Sequence, residues 1–160
     1  MLNVKLICVG RMRERFYTDA FAEYAKRLQS YCRLTVTEPQ ELKLPDAPSD
    51  KEIAAALDKE STEILRELPP DAFAVALCVE GRELSSEQLA SLIAERESSG
   101  KPKLCCIIGG SYGLSDKVKQ RADLRLSMSR MTFPHHLARV MLIEQLYRAF
   151  KINEGSKYHK

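Results

Sequence analysis

Three stretches of this chain carry residues with chemistry to offer. Gly109-Gly-Ser-Tyr-Gly113 follows an apolar run and precedes a helix signal. Backbone there can approach a ligand closely, and the amides of the following helix can face an anion. The loop lacks the Gly-Lys-Ser/Thr of a phosphate-binding Walker loop and the spacing of a dinucleotide fingerprint, and a tight turn that needs positive φ is an equally open reading. Met128-Ser-Arg-Met-Thr-Phe-Pro-His135-His136 mixes thioether, apolar and hydroxyl side chains before a proline. Such a segment can wrap an aromatic or thioether ligand while backbone groups read its edge. Tyr158-His159-Lys160 ends the chain with a stacking ring beside two potential cations. That composition suits RNA, where aromatics stack bases and basic groups hold phosphates, against the default of a frayed terminus.

Two other chemistries are set aside. His135 and His136 would point about 100° apart on a helix, and no third ligand lies nearby, so a capping or surface pair is preferred and no metal is expected. A cysteine nucleophile is rejected because Cys8, Cys78, Cys105 and Cys106 sit in apolar runs that raise thiol pKa values. Cys32 lies in a polar spot without a flanking His.

The elements that must position these segments alternate between strand and helix. Leu2 to Val9 is strand-like and closes at Gly10, and apolar residues from Phe16 to Tyr31 then recur at helical spacing. Leu34 to Thr37 alternates as a strand, and Pro39 to Pro48 is a loop. Ser49-Asp-Lys-Glu52 has the pattern of a capping box, opening a helix that Pro69-Pro70 stops. Ala72 to Val79 and Leu104 to Ile108 are apolar throughout, as strands buried on both faces are. Ser85-Ser-Glu-Gln88 opens another helix, Ser115 to about Ala122 a short one, and Leu124 to Ser129 reads as a fifth strand. A last helix starts near Pro134, a proline suited to a first turn, and runs to about Phe150. This order implies one α/β domain over residues 1–160, with a mostly parallel sheet and helices on both faces. Ligands in such sheets bind beyond the carboxyl ends of strands, which singles out the loops after Val79, Ile108 and Ser129.

The chain has 160 residues, 44% of them hydrophobic and 29% charged, which suits one globular domain and excludes disorder and disulfide scaffolds. Its longest wholly apolar stretch, Ala72 to Val79, is far short of the roughly 20 residues of a membrane span, so no membrane partner is expected. No small-residue cleavage site follows the first strand, and no secretory signal is expected. Five cysteines, an odd number, mostly in apolar runs, favour a reducing cytoplasm. Charge is uneven: +4 over residues 1–33, −6 over 34–72, −3 over 73–100 and +8 over 101–160. Basic ends around an acidic middle suggest one anion-binding face, with random surface variation as the alternative.

The last helix is apolar at Leu137, Ala138, Val140, Met141, Leu142, Ile143, Leu146, Ala149 and Phe150, which exceeds one stripe. A second subunit covering it, in a symmetric homodimer, is expected; a helix buried by its own chain is the alternative. Arg139, Glu144, Arg148 and Lys151 read as its polar strip.

In combination, Ile108-Gly-Gly-Ser-Tyr-Gly-Leu114, Leu126-Ser-Met-Ser-Arg-Met-Thr-Phe-Pro-His135, Arg139-Val-Met-Leu-Ile-Glu-Gln-Leu-Tyr-Arg-Ala149 and the terminal Tyr-His-Lys closely resemble the large-subunit ribosomal RNA methyltransferase H family, small SPOUT-class enzymes. The similarity covers essentially the whole chain. It implies methylation of N3 of a pseudouridine in large-subunit (23S) ribosomal RNA, S-adenosylmethionine as donor, a homodimer, ribosomal RNA rather than DNA as partner, and a C-terminal trefoil knot. Knotted chains are rare, so the knot comes from the resemblance alone. Carried over by position, Leu77, Gly109, Met128, Ser129, Arg130, Met131, Thr132 and Phe133 would hold the donor. His135, Arg148, Tyr158 and His159 would stand near the target base, the tail reaching the partner's donor site. His159 and His135 are the candidate proton acceptors, with Arg148 orienting the base or its phosphate. A non-catalytic RNA-binding module, a nucleotide-binding protein using the Gly109 loop, and a methyltransferase for another RNA such as transfer RNA are the alternatives.

Overall fold

A computed structural model describes residues 1–160. Its elements run β1 (Leu2–Cys8), α1 (Arg15–Leu28), β2 (Cys32–Thr37), α2 (Asp50–Glu67), β3 (Phe73–Glu83), α3 (Ser86–Ser98), β4 (Lys103–Ile108), α4 (Asp116–Arg121), β5 (Leu124–Ser127) and α5 (His135–Asn153). The five strands form one sheet in the order β2-β1-β4-β3-β5, and every pairing is parallel. No helix is long and apolar enough to cross a membrane.

The capping box at Ser49 forms as the sequence predicts. Ser49 Oγ accepts the Glu52 amide at 3.1 Å and Glu52 Oε1 accepts the Ser49 amide at 3.2 Å. Ser85 and Gln88 repeat the exchange at 3.1 and 2.8 Å. Each pair satisfies donors that a helix start otherwise leaves open.

Strand residues point alternately to the two faces, and β4 divides the core accordingly. Leu104, Cys106 and Ile108 join Val4, Leu6 and the buried faces of α1, α3 and α5 in the larger cluster. Cys105 and Ile107 join Ile7, Val9, Ile64 of α2 and Val118 of α4 in the smaller one. Helices on both faces explain why the central strands show no hydrophobic alternation. Burial pushes the Cys8 and Cys105 thiols up to about 12, which removes them as nucleophiles. Cys32 is also buried and pushed up to about 11, rather than lying in a polar spot, because β2 lays it against the α1–α5 side of the core.

Three boundaries differ from expectation. β3 continues to Glu83 because Leu126 of β5 pairs first with Leu77 and again with Arg82, while Cys78–Gly81 loops out between them. A side chain at Gly81 would stand 2.7 Å from the Arg125 carbonyl oxygen, so only glycine permits the return. β5 stops at Ser127, leaving Met128 and Ser129 free of the ladder. Pro134 is the N-cap of α5, with ψ 137°, and α5 runs on to Asn153.

Arg139 of α5 is buried. It is no part of a polar strip: it is 1% exposed, donating to Glu38 Oε2 at 2.6 Å and to the Gly10 carbonyl at 2.7 Å. An apolar helix carries this buried cation because the carboxyl ends of β1 and β2 supply its acceptors.

Candidate functional site

β3 pairs with β4 only from Phe73 to Ala76 and then diverges, so a cleft opens at the carboxyl edge of the sheet. A cavity of about 760 Å³ fills it, within the range of small-molecule sites. Its walls are the β3 excursion Leu77–Glu80, the loop from Ile108 to Leu114, and the segment between β5 and α5. The three loops singled out by the strand pattern thus meet at one place.

Leu77, Gly109, Met128, Ser129, Met131, Thr132 and Phe133 all line this cavity. Arg130 does not; it is exposed beside them. Ser129 shapes the last wall, since Ser127 Oγ donates to its carbonyl at 2.8 Å and its own Oγ accepts the Met131 amide at 3.1 Å. That small turn leaves Met131 73% exposed at the mouth. Glu80 and Lys119 form an ion pair on the opposite lip. The Lys119 hydrogen bond holds the Glu80 carboxyl below its usual range.

Positive φ in the glycine loop belongs to Gly113, at +79°, not to Gly109. Gly109 is needed for close approach: a Cβ there would lie 2.3 Å from the Gly113 carbonyl oxygen. The loop folds back so tightly that Gly110 and Gly113 bridge, the Gly113 amide donating to the Gly110 carbonyl at 3.1 Å.

His135 also lines the cavity, at the first turn of α5, with the His136 ring 4.1 Å from it. Burial, aided by repulsion from His136, holds the His135 imidazole below its ordinary pKa, against the pull of Glu41. His135 is therefore neutral at pH 7 and able to accept a proton. Its Nε2 is buried, has no hydrogen bond, and lies 3.6 Å from Glu41 Oε2. The other oxygen, Glu41 Oε1, accepts the Ser111 amide at 2.7 Å. Burial raises the Glu41 pKa, but hydrogen bonding from Ser111 and attraction to the two histidines outweigh it and leave the carboxyl lowered. Sequence reasoning missed Glu41, which lies in the Pro39 to Pro48 loop with no motif around it; a long-range contact is its whole signal.

Arg148, Tyr158 and His159 gather elsewhere. Glu144 Oε1 accepts from Arg148 Nη2 at 2.7 Å, from Arg148 Nε at 3.0 Å and from Tyr158 Oη at 3.2 Å. The Arg148 guanidinium sits 4.8 Å from the Tyr158 ring centroid. Its Nη1 is 3.3 Å from His159 Nδ1, and His159 Nε2 lies 2.7 Å from Glu87 of α3. Burial, then the Glu144 charge, pushes the Tyr158 phenol up to about 12, so it stays a hydrogen-bond donor. The tail is thus docked rather than frayed. His135 is not part of this group: it and Arg148 stand thirteen positions apart on α5, about 20 Å at 1.5 Å per residue. Within one chain the cavity and the tail cluster are separate stations. No group of three or more His, Cys, Asp or Glu side chains is arranged to hold a metal ion.

Comparison with known proteins agrees with this architecture. Residues 2–159 match the family model described as "Predicted SPOUT methyltransferase". The chain is 48% identical over 160 residues to the ribosomal RNA large subunit methyltransferase H of Moorella thermoacetica, covering 100% of both chains. It is 46% identical over 159 residues to the protein of that name from Bacillus pumilus, covering 99% of this chain and 100% of that one. Among solved structures, a "Probable Methyltransferase" from Bordetella pertussis superposes with a TM-score of 0.55 at 15% identity, over 92% of this chain and 96% of that one. A "probable methylase family protein" from Haemophilus influenzae gives 0.51 at 13% identity, over 99% and 70%. Identities that low show likeness of fold alone. With a family model spanning nearly every residue and relatives alike from end to end, this chain belongs to the SPOUT methyltransferase family.

Proposed function

We propose that this chain transfers a methyl group from S-adenosylmethionine to N3 of a pseudouridine in large-subunit ribosomal RNA, working as a cytoplasmic homodimer with a C-terminal trefoil knot. The observation that carries the reading is the meeting of three loops around one cavity at the carboxyl edge of β3, β4 and β5. The names of relatives alike over the full length support ribosomal RNA as the substrate.

The cavity fits the donor by volume and by chemistry. Leu77, Met128 and Phe133 offer apolar surface for an adenine ring and a thioether-like chain. Ser129, Thr132 and the exposed backbone of Ser111 to Gly113 offer polar groups for the ring edge and the ribose. The donor supplies an electrophilic methyl group. What remains for the chain is to hold the two reactants in line, exclude water and take the imide proton from N3, work for positioned groups and a modest base. His135 lines the cavity and burial lowers its pKa, which supports it as the group that would take this proton. Arg148 and Tyr158, oriented by Glu144, present a cation and a phenolic donor to a base or phosphate.

Because the tail cluster stands about 20 Å from His135 along α5 of the same chain, a complete site needs a tail from elsewhere. A second subunit can deliver it. Val140 and Met141 of α5 line an apolar hollow of about 430 Å³ with Tyr24, Leu84 and Leu89, a surface suited to an isologous partner.

The deciding experiment is radiolabelled methyl transfer to ribosomes and to naked ribosomal RNA, followed by mapping of the modified base. Label on N3 of a pseudouridine supports the proposal. Label on transfer RNA alone would redirect it, and failure of calorimetry to detect donor binding would leave a non-catalytic RNA-binding module.

A further inference from the structure

Beside the donor cavity lies a second one of about 700 Å³, which shares Ser111, Tyr112 and His135 with it. Arg11 and Arg13, from the loop joining β1 to α1, stand on its rim, and Arg15 follows them at the start of α1. All three are exposed. None is engaged in a close ion pair; Arg15 has Asp19 at 3.8 Å, with both side chains in solvent. Next to them Phe16 is 68% exposed, an unusual place for a large apolar ring.

From Phe16 a line of rings leads inward. Phe16 and Tyr17 are 4.4 Å apart, Tyr17 meets His136 edge-on at 6.1 Å, and His136 touches His135 at 4.1 Å, where the donor cavity begins. Deeper in the second cavity the charge reverses: Glu41 and Glu60 line it, and hydrogen bonding from Ser111 outweighs burial to keep the Glu41 carboxyl below its ordinary range. Glu14, on the same rim between Arg13 and Arg15, has a carboxylate oxygen 3.7 Å from His136 Nδ1; a polyanion is repelled from the acidic end and held on the three arginines.

We infer that the β1–α1 arm, Arg11, Arg13, Arg15 and Phe16, is the surface that grips the single-stranded RNA flanking the target base, with phosphates on the arginines and a neighbouring base stacked on Phe16. This deepens the methyltransferase reading and rests on it for the identity of the target. Exposed guanidiniums beside an exposed ring are the means by which proteins hold splayed nucleotides. An acidic protein segment would use the arginines but leave Phe16 without purpose.

The test uses the intact protein with a fluorescein-labelled uridine-rich single-stranded RNA, and polyglutamate as a rival ligand. Arg11→Gln/Arg13→Gln should weaken RNA binding roughly tenfold or more and lower the salt slope by about 1 per arginine. Phe16→Leu should weaken binding with the slope unchanged. Arg66→Gln/Lys101→Gln removes the same charge at the opposite edge of the sheet, near the starts of β3 and β4, and should change neither value. Donor affinity by calorimetry should stay as in the parent for the arm variants. RNA affinity unchanged in the arginine variant, or polyglutamate bound in preference to RNA, overturns the inference. Methyl transfer with an unaltered KM in that variant sinks the arm and leaves the proposed activity standing. RNA binding lost through the arm in a protein that methylates no RNA does the reverse.

Discussion

Glu41 Oε1 accepts the backbone amide of Ser111 at 2.7 Å, a bond across seventy positions of sequence that ties the loop after β2 to the glycine loop after β4. The same carboxylate faces His135 and packs where side chains at Gly10 and Gly110 would stand. One residue thus braces the glycine-loop wall of the cavity and the first turn of α5. Glu41→Ala should loosen the loop and weaken donor binding roughly tenfold, since a hydrogen bond to a charged group contributes about 1.5–3 kcal/mol. Glu41→Gln keeps an acceptor and should retain most of the affinity. Calorimetric titration with donor, on variants of parental circular dichroism, decides; equal affinity for Ala and the parent would remove Glu41 from the site.

The glycine loop separates two ways in which glycine is required. Gly109→Ala drives a Cβ into the Gly113 backbone, which cannot yield without moving the loop, so donor binding should be lost while the sheet stays folded. Gly110→Ala pushes on Glu41 Oε1, the atom that accepts the Ser111 amide, and should cost about what Glu41→Ala costs. Gly113→Ala meets no atom but must hold φ +79°, a strain of about 1–2 kcal/mol. The Gly109 variant should bind donor most weakly of the three, and a Gly109 variant with parental affinity would show that the loop is not a wall of the site.

Acid should reveal His135. Its folded-state pKa lies below the ordinary 6.5, so above that value both states are neutral and no stability is at stake. As pH falls below 6.5 the unfolded chain gains the proton first, and stability declines until the folded-state pKa is passed. Denaturant midpoints between pH 8 and pH 5 should fall, and His135→Gln should flatten that slope. The lowered Glu41 and Glu14 carboxyls lose their contribution only below their usual 4.5, outside this window. An unchanged slope in His135→Gln would place the titration elsewhere.

Arg139→Met keeps much of the side-chain volume but leaves Glu38 and the Gly10 carbonyl without their donor. Glu38 is partly open to water, so the loss should be about 2–3 kcal/mol rather than the larger figure of a fully buried partner. Urea midpoints measure it, and a variant as stable as the parent would mean the pair contributes nothing net.

Removing Tyr158 to Lys160 should preserve donor binding and abolish RNA methylation. Mixing that truncation with Gly109→Ala should restore roughly a quarter of parental activity if subunits assort at random and the tail serves its partner's cavity. No recovery on mixing would confine each tail to its own chain.

Most of the architecture was legible because it is local. Ser49 and Ser85 announce their helices within four residues, and the unbroken apolar runs at Ala72 and Leu104 announce strands buried on both faces. Placing the cavity needed only the rule that parallel strands present their following loops at one edge, and seven of the eight donor-site candidates line it. Arg130 escaped because the turn made by Ser129 sends it outward, a matter of side-chain direction that spacing does not encode.

What tertiary structure alone decided are relations between residues far apart in sequence. Arg139 reads as polar surface until the ends of β1 and β2 surround it, and Glu41 reads as loop until Ser111 arrives. Leu126 pairs twice, with Leu77 and Arg82, because β3 bulges there, and no local pattern marks that excursion. The resemblance groups four candidate residues around one base, and within one chain the rise of α5 carries Arg148 away from His135. Periodicity and capping are settled within a few residues by backbone sterics and hydrogen bonding; an ion pair or a docked tail exists only once the sheet has closed the distance.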